Sequence, residues 1–308
     1  MASILHITDK DMIEFHRLNG NSAFNFWRPS SSKKFADFKK GDFLFFLAKG
    51  SERRREKGII GYGRCSNLSS CSFDYMWKKY ESRNGYGNKK SCYEAILKVS
   101  KEHKMPNRLN CIELDDVVFF SSPIYLSEFD MKISNKLESF TYIDKEDPYL
   151  SAKVINKANQ FGIDVWTTSL TENESKQKLA IHALQLLCSN IGQPLMRTGG
   201  KNTKQFIKAY NEKLKQCLPL IGSDEDSLEV VENRIYLNIP FLLNDGNERS
   251  KLQNALGKYQ VYNGHLKTIS IDYLPPITIR FIINGELPTM LKNVFEHLGC
   301  EYKISAIQ

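Results

Sequence analysis

Residues 25–46 read NFWRPSSSKKFADFKKGDFLFF and carry the strongest structural signal in the chain. The indole of Trp27 stands beside the guanidinium of Arg28, ahead of a proline that fixes φ. A small polar loop ending in two lysines follows, and then five consecutive apolar residues, 43–47, predict a buried strand. An aromatic ring, a cation and small hydroxyls in front of a rigid strand suit a pocket for a flat polar ring such as a nucleobase. A turn into a core strand, with Trp27 half-buried, is the alternative interpretation.

Composition places the chain among globular proteins. It has 308 residues, 41% of them hydrophobic and 25% charged, which is enough for two domains. The net charge of +8 favours a polyanionic partner, nucleic acid first. No apolar run approaches the ~20 residues that span a bilayer, and the acidic N-terminus does not resemble a signal peptide. We therefore expect a cytoplasmic protein with no membrane partner.

The cysteines predict reduced thiols. There are seven, none in a C-x-x-C pair and none at zinc-finger spacing from a histidine. An odd number in a cytosolic chain is typical of unpaired, mostly buried thiols. We expect neither a metal nor a cofactor.

The first half alternates strands and helices. The predicted elements are a strand at 4–8, a helix at 9–18 with Asp9 as N-cap, a hairpin of strands 43–48 and 57–66, a helix at 73–82 with Ser72 as N-cap, a helix at 93–103, and strands 111–114 and 117–120 around a turn. The hairpin tip carries three adjacent arginines, which either keep the protein soluble or contact phosphates. Gly61 and Gly63 share one strand face, so a helix or a ligand should approach that face closely.

The second half predicts a smaller α+β unit. Its elements are helices at 176–189 and 203–217, strands at 228–239, 269–273 and 277–284, a helix at 288–298 and a strand at 301–307, and a further helix at 150–160 is predicted before it. The loop at 198–204, TGGKNTK, lacks the spacing of a nucleotide-binding phosphate loop. Lys201 and Lys204 could still hold a DNA phosphate at a helix start, although a plain solvated turn is an equal alternative.

Aromatic residues interleave with cations in the first ~90 residues. The aromatic residues are Trp27, Tyr62, Tyr75, Trp77 and Tyr86, and the cations are Arg28, Arg64, Arg83 and the tip Arg53, Arg54 and Arg55. Extruded bases are held between aromatic faces and are read by hydrogen bonds at their edges. Arginine adds planar stacking and phosphate contacts. This pattern favours base binding, although some of these rings must belong to the core.

Five short motifs, in this order, carry a family resemblance. They are NFWRP at 25–29, GDFLFF at 41–46, GYG at 61–63, WKKYESRNG at 77–85 and NCI at 110–112. The first 150 residues resemble PUA-like domains that precede HNH nucleases in bacterial restriction proteins, a group related to the EVE, YTH and SRA readers of modified bases. The resemblance implies a small twisted β-barrel with flanking helices and an aromatic pocket for a flipped base. No HNH nuclease motif follows, and residues 165–308 resemble no family.

We therefore expect an α+β protein with three parts: a PUA-like base-recognition domain at 1–150, a linker at 151–170, and an α+β domain for DNA binding or an effector role at 171–308. The expected base-binding residues are Asn25, Trp27, Arg28, Ser30, Tyr62, Trp77 and Asn84. Of these, the resemblance matches Asn25, Trp27, Trp77 and Asn84. The expected phosphate contacts are Lys33, Lys34, Arg53, Arg54, Arg55, Arg83, Lys201 and Lys204.

The leading hypothesis is an anti-phage, restriction-like protein that recognises a modified base in double-stranded phage DNA. A 5-hydroxymethyl or glucosylated cytosine would be flipped into the aromatic pocket. One alternative is a DNA glycosylase that excises this base, for which Asp42 and Asp74 are the candidate acids. The other alternative is a reader of modified RNA. The acidic turn at 224–226 lacks the E-x-K half of a metal-nuclease site.

Overall fold

The computed structural model describes residues 3–29, 35–49, 56–134, 137, 139–192, 195, 200–214, 216–220, 225–243, 248–268 and 270–305. The chain divides into two compact units, residues 1–179 and 180–308. Each unit mixes helices with a β-sheet of its own, which confirms the predicted α+β class.

The first unit contains six strands of very different lengths and several helices. In chain order they are β1 (Ile4–Ile7), α1 (Lys10–Leu18), β2 (Phe24–Pro29), β3 (Phe43–Lys49), β4 (Lys57–Cys71), α2 (Phe73–Tyr80), a 3-10 turn (Glu81–Asn84), α3 (Lys89–Val99), β5 (Leu109–Tyr125), β6 (Phe140–Tyr142) and α4 (Leu150–Ala158). Helix α5 (Glu172–Gly192) follows and continues past residue 179. Residues 151–170, predicted as a linker, thus contain most of α4, whose buried Leu150, Val154 and Ile155 anchor it.

The six strands form one curled sheet in the order β2-β5-β4-β3-β1-β6. Strands β1 and β3 are parallel, and every other neighbouring pair is antiparallel. Strand β2, which sequence analysis did not assign, lies at the edge of the sheet. Its last residue, Pro29, fits there because an edge strand does not need every backbone N–H for pairing.

Strands β4 and β5 bend the sheet. Their pairing shifts register at three places, and Asp116 takes a positive φ of 49° inside β5. The predicted turn between strands 111–114 and 117–120 is therefore a bulge within one long strand. A Cβ on Gly61 would lie 2.3 Å from the carbonyl oxygen of Val118. Strand β5 therefore makes the close approach to the glycine face, in place of the helix or ligand that we expected.

The second unit has a five-stranded sheet in the order β11-β10-β9-β8-β7. Its elements are α6 (Lys201–Glu212), β7 (Cys217–Pro219), β8 (Ser227–Val231), β9 (Arg234–Phe241), α7 (Glu248–Thr268), β10 (Ile277–Ile283), α8 (Thr289–His297) and β11 (Glu301–Ile304). The pairs β7–β8 and β8–β9 are antiparallel, whereas the pairs β9–β10 and β10–β11 are parallel.

Two predictions for this unit were wrong, and one helix was missed. The strand at 228–239 is a hairpin of β8 and β9, turned at Glu232 with a φ of 50°. Residues 270–273 form no strand, and Tyr273 has a φ of 61° that interrupts extended backbone. Helix α7 was not predicted at all.

Candidate nucleic-acid interface

Strand β2 and the 3-10 turn meet through two asparagines and a tryptophan. Asn25 and Trp27 point to the same face of β2 because side chains alternate along a strand. The Asn25 amide Nδ2 donates to Asn84 Oδ1 over 2.8 Å, and the Trp27 Nε1–H donates to the Asn84 carbonyl over 3.0 Å. The structure therefore brings together three of the predicted base-binding residues.

The local sequence fixes the turn in place. Helix α2 begins at its N-cap Ser72, as predicted, and the 3-10 turn ends at Gly85. Gly85 has a φ of +89°, and a Cβ there would lie 2.2 Å from Met12 Cγ. Only glycine allows this turn to press so closely against α1. The Asn84 side chain is oriented in turn by donating Nδ2 to the Glu81 carbonyl over 2.9 Å.

Tyr86 and Asp9 complete this contact, and sequence analysis did not place them in the site. The Tyr86 ring lies 6.4 Å from the Trp27 ring at a tilt of 40°. Its hydroxyl donates to Asp9 Oδ1 over 3.1 Å, and the same oxygen caps α1 by accepting the Met12 N–H. Burial, reinforced by the Asp9 charge, raises the pKa of Tyr86, so the phenol remains a donor.

We call Asp9, Asn25, Trp27, Asn84 and Tyr86 the Trp27 junction. Its inner residues are closed to solvent: Asn25 and Asn84 are fully buried and Trp27 is 5% exposed. Tyr86 is half-buried, so the junction reaches the surface at that ring. Trp27 packs within the hydrophobic core, so it is more deeply buried than the half-buried ring of the alternative interpretation.

Two predicted base-binding residues lie elsewhere in the first unit. Arg28 points to the opposite face of β2, where its guanidinium lies 4.7 Å from the Phe35 ring centroid and 5.2 Å from that of Phe140. Burial lowers the pKa of Arg28. Tyr62 is fully buried among other rings, and its ring centroid lies 5.4 Å from that of Phe43 and 5.8 Å from that of Phe120. Neither residue belongs to the Trp27 junction.

The remaining predicted contacts are scattered or lie outside the described residues. Trp77 is partly buried against the core, and Arg83 is exposed on the 3-10 turn. Lys201 and Lys204 lie in the first turns of α6 in the second unit, Lys201 exposed and Lys204 half-buried. Outside the described residues lie Ser30, Lys33, Lys34, Arg53, Arg54 and Arg55.

The two candidate acids of the glycosylase hypothesis have structural contacts. Asp42 is fully buried, and its Oδ2 accepts the Lys39 backbone N–H over 2.8 Å. Asp74 is largely exposed in the first turn of α2 and forms an ion pair with Lys89 over 2.7 Å. Neither carboxylate lies in the Trp27 junction.

Residues 73–108, from α2 to the start of β5, are rich in positive charge. They contain nine Lys and Arg against four Asp and Glu, in a chain whose whole excess is eight. Two tyrosines are exposed among them, Tyr75 at 60% and Tyr93 at 40%. We call these residues the basic segment; its exposed cations include Lys78, Arg83, Lys89 and Lys90. Because Asn84 and Tyr86 belong to it, the segment also supplies one side of the Trp27 junction.

Two carboxylates of the acidic turn in the second unit pair with one buried lysine. Lys258 Nζ, on α7, lies 3.2 Å from Glu225 Oε2 and 3.1 Å from Asp226 Oδ1. The Tyr262 hydroxyl donates to the other Asp226 oxygen over 3.0 Å. The described part of the chain holds no group of three or more His, Cys, Asp and Glu side chains that could bind a metal ion.

The fold resembles one group of solved structures. The crystal structure of ASCH from Zymomonas mobilis is 12% identical, with a TM-score of 0.36 over 50% of this chain and 95% of that chain. Two single-residue mutants of the same protein match with 13% and 11% identity, TM-scores of 0.34 and coverage of 47% of this chain. These coverages reach 93% and 90% of the mutant chains.

Two further comparisons and the helix lengths give negative results. No protein-family model matches the sequence, and no curated protein does. In the part of the chain that the structure describes, every helix is too short or too polar to cross a bilayer.

Proposed function

We propose that the protein binds nucleic acid through its first unit and recognises a modified base in double-stranded DNA. The observation that carries this proposal is the basic segment. Its exposed cations and tyrosines lie in the same stretch of chain as Asn84 and Tyr86 of the Trp27 junction. The ligand we propose is a 5-hydroxymethyl or glucosylated cytosine, as found in phage DNA, and the biological role is anti-phage defence.

The charges of the basic segment suit phosphates. Lys and Arg supply most of the sequence-independent affinity for DNA, and they fix its position on the protein. Tyr75 and Tyr93 offer ring surface to unpaired bases, which stack on aromatic side chains whatever their sequence. Arg83 stands next to Asn84, so a phosphate held there would lie beside the junction.

The amides of the junction suit the edge of a base. Each asparagine side chain carries donors and an acceptor, the pair of groups that reads a base edge. In the closed structure Asn25 and Asn84 bond to each other. A flipped base would enter beside Tyr86, displace the Asn84 turn from Trp27 and replace this bond with bonds to its own edge. Removal of the base from the helical stack costs a further few kcal/mol, and this cost is least for bases that leave the stack easily.

We propose binding without excision. A glycosylase requires a carboxylate or amide that positions water at the sugar of the flipped base. Of the junction residues, Asp9, Asn25 and Asn84 carry such groups, and they already bond to Met12, to Tyr86 and to each other. The two candidate acids are not junction residues: Asp42 accepts the Lys39 amide and Asp74 pairs with Lys89. Release of free base from modified DNA would overturn this part of the proposal.

The test compares matched duplexes that carry one cytosine, 5-hydroxymethylcytosine or glucosylated cytosine, with modified single-stranded RNA as a further ligand. We expect the modified duplexes to bind more tightly than the unmodified duplex by at least about tenfold. Equal affinities would contradict modified-base recognition and leave nucleic-acid binding intact. Preference for the RNA would favour an RNA reader, and no binding to any ligand would overturn the whole proposal.

The junction is tested by one substitution and a matched control. Asn25→Ala removes an amide of the proposed pocket, and we expect it to abolish the preference for modified duplexes while leaving binding to unmodified DNA unchanged. Asn107→Ala, an exposed asparagine of the basic segment, is the control and should keep the preference. Fluorescence anisotropy at fixed salt measures both, on protein whose folding is checked by circular dichroism.

A further inference from the structure

Two cysteines on neighbouring strands lie in contact. The sulfur atoms of Cys71 and Cys111 are 3.6 Å apart. Cys71 ends β4, and Cys111 lies near the start of β5, where its direct partner across the ladder is Ser69. The two cysteines are therefore diagonal neighbours on one sheet face, a position from which side chains reach each other.

The two thiols differ in access to solvent. Cys71 is half-buried, whereas Cys111 is 1% exposed. Burial raises the pKa of Cys111 to about 12, so it remains a thiol at neutral pH. A soluble oxidant can reach Cys71 but not Cys111. Of the other cysteines, Cys217 in the second unit is half-buried, and the remaining four are buried.

Cys111 also belongs to the surroundings of the Trp27 junction. In the pairing of β2 with β5 it lies directly opposite Trp27. The Asn25 side chain interacts with its thiol. The Cys111 sulfur is therefore a neighbour of the two β2 residues that bond to Asn84.

We propose that Cys71 and Cys111 form a reversible disulfide that controls the Trp27 junction. The co-reactant is a peroxide. Cys71 sulfur attacks one peroxide oxygen, the O–O bond breaks, and Cys71 becomes a sulfenic acid with release of one water from hydrogen peroxide. Cys111 transfers its proton to the sulfenic oxygen as its sulfur attacks Cys71 sulfur, the S–O bond breaks, and a second water leaves. Two thiols are oxidised by two electrons and one peroxide is reduced; a dithiol reductant reverses the change.

Disulfide formation would disturb the junction in a defined direction. The sulfurs must approach from 3.6 Å to a bond length of about 2.05 Å. This draws the Cys111 side chain toward β4 and removes the thiol beside Asn25. The Asn25–Asn84 bond then loses a neighbour that helps to orient it. The effect on nucleic acid rests on the proposed function, whereas the disulfide and the structural change do not.

The first test is covalent. The full-length protein is treated with one equivalent of hydrogen peroxide, alkylated with N-ethylmaleimide and examined by mass spectrometry with peptide mapping. We expect a loss of about 2 Da, a cross-linked peptide pair containing residues 71 and 111, and full reversal by dithiothreitol. Cys71→Ser and Cys111→Ser should each abolish the cross-link, and Cys217→Ser should leave it unchanged. Alkylation of both cysteines after peroxide treatment would overturn the disulfide.

The second test reads the junction. Amide hydrogen exchange in residues 81–86 should become faster in the oxidised protein. Because a looser junction costs less to open, oxidised protein should also bind the modified duplex about tenfold more tightly, the equivalent of about one net hydrogen bond. Unchanged exchange in a fully cross-linked sample would overturn the link to the junction. Faster exchange in a protein that binds no nucleic acid in either state would keep the redox inference and defeat only the proposed function.

Discussion

The Trp27 indole donates to the main-chain carbonyl of Asn84 over 3.0 Å, joining edge strand β2 to a turn 57 residues further along the chain. The Asn84 side chain accepts a second bond from β2, from Asn25. One residue of the turn thus satisfies two buried donors of the strand. Because unsatisfied buried polar groups are costly, Asn84 fixes the position of β2 relative to the 3-10 turn that follows α2.

Trp27→Ala should destabilise the first unit. Trp27 is 5% exposed, and truncation of a buried tryptophan costs about 3–5 kcal/mol in the free energy of unfolding. Trp166→Ala is the matched control, because Trp166 is 73% exposed and should change stability by no more than about 0.5 kcal/mol. Urea denaturation followed by circular dichroism measures both. Similar midpoints for the two variants would contradict the core position of Trp27.

Gly85→Ala should cost more than Gly162→Ala. Both glycines have left-handed backbone, with φ of +89° and +85°, so both substitutions carry a backbone penalty of about 1–2 kcal/mol. Only at position 85 would the new methyl group meet Met12, and overpacking adds about 1–3 kcal/mol. Thermal melting compares the two variants. Met12→Ala can then be added to Gly85→Ala. If the clash with Met12 dominates, the double variant should lie closer in melting temperature to Gly162→Ala; if lost core contacts of Met12 dominate, it should lie further away.

The stability of the first unit should fall in acid because of His16. The ring is fully buried, stacks on Phe24 at 3.8 Å, and burial lowers its pKa to about 3. In the unfolded chain His16 has its ordinary pKa of about 6.5. Between about pH 6.5 and 3 the ring is therefore protonated in the unfolded chain but neutral in the folded protein. Stability contributed by the neutral ring is present above pH 6.5 and is lost progressively as the pH falls toward 3.

The His16 prediction is checked with His16→Gln, measured by urea denaturation between pH 7 and 4. The variant is expected to be less stable at pH 7 but to lose less stability on acidification than the natural protein. His103→Gln, at an exposed histidine, should show the natural pH dependence. Parallel pH profiles for the natural protein and His16→Gln would exclude His16 as the source.

Cations of the basic segment should set the salt dependence of DNA binding. Replacing Arg83 and Lys90 with Ala removes two exposed charges and should lower the slope of log K against log salt by about 2. Lys132→Ala with Lys145→Ala removes two exposed charges elsewhere in the first unit and should leave the slope unchanged. Equal slopes for both double variants would show that the basic segment is not the interface. The arginines 53–55, outside the described residues, form a third set for the same measurement.

Local patterns predicted much of the first unit. The Asp9 and Ser72 caps are confirmed, since each side chain accepts the expected backbone N–H. Helix α3, in contrast, begins four residues earlier than predicted, because Asn88 caps it by accepting the Ser91 N–H over 2.9 Å. The Arg-Asn-Gly-Tyr-Gly sequence just before Asn88 is typical of a loop, so the start of the helix was predicted too late.

Strand β2 and helix α7 escaped the sequence patterns for different reasons. Strand β2 buries five of its six residues, so it shows no alternation of apolar and polar side chains. Helix α7 turns Ala255, Lys258 and Tyr262 inward, and the lysine interrupts the apolar stripe. That lysine is buried because it neutralises Glu225 and Asp226, partners that are distant in sequence.

The sequence motifs named three residues of the Trp27 junction without indicating how they are arranged. Asn25, Trp27 and Asn84 were named from short motifs, and the structure brings them together. Their burial could not be predicted, because it depends on the Gly85 turn meeting α1. Tyr86 was noted only as one aromatic residue among several, although its position two residues after Asn84 was a usable signal.

Strand β1 has a consequence for synthesis on the ribosome. Its Ile4 pairs with Leu44 on one side and with Tyr142 on the other. At about 5–20 residues per second, roughly 7–30 s pass between the emergence of the first strand and that of its second neighbour. During that interval the apolar strand has an open edge, which is a template for pairing between chains. Nascent chains that stop before residue 140 should therefore aggregate or bind chaperones.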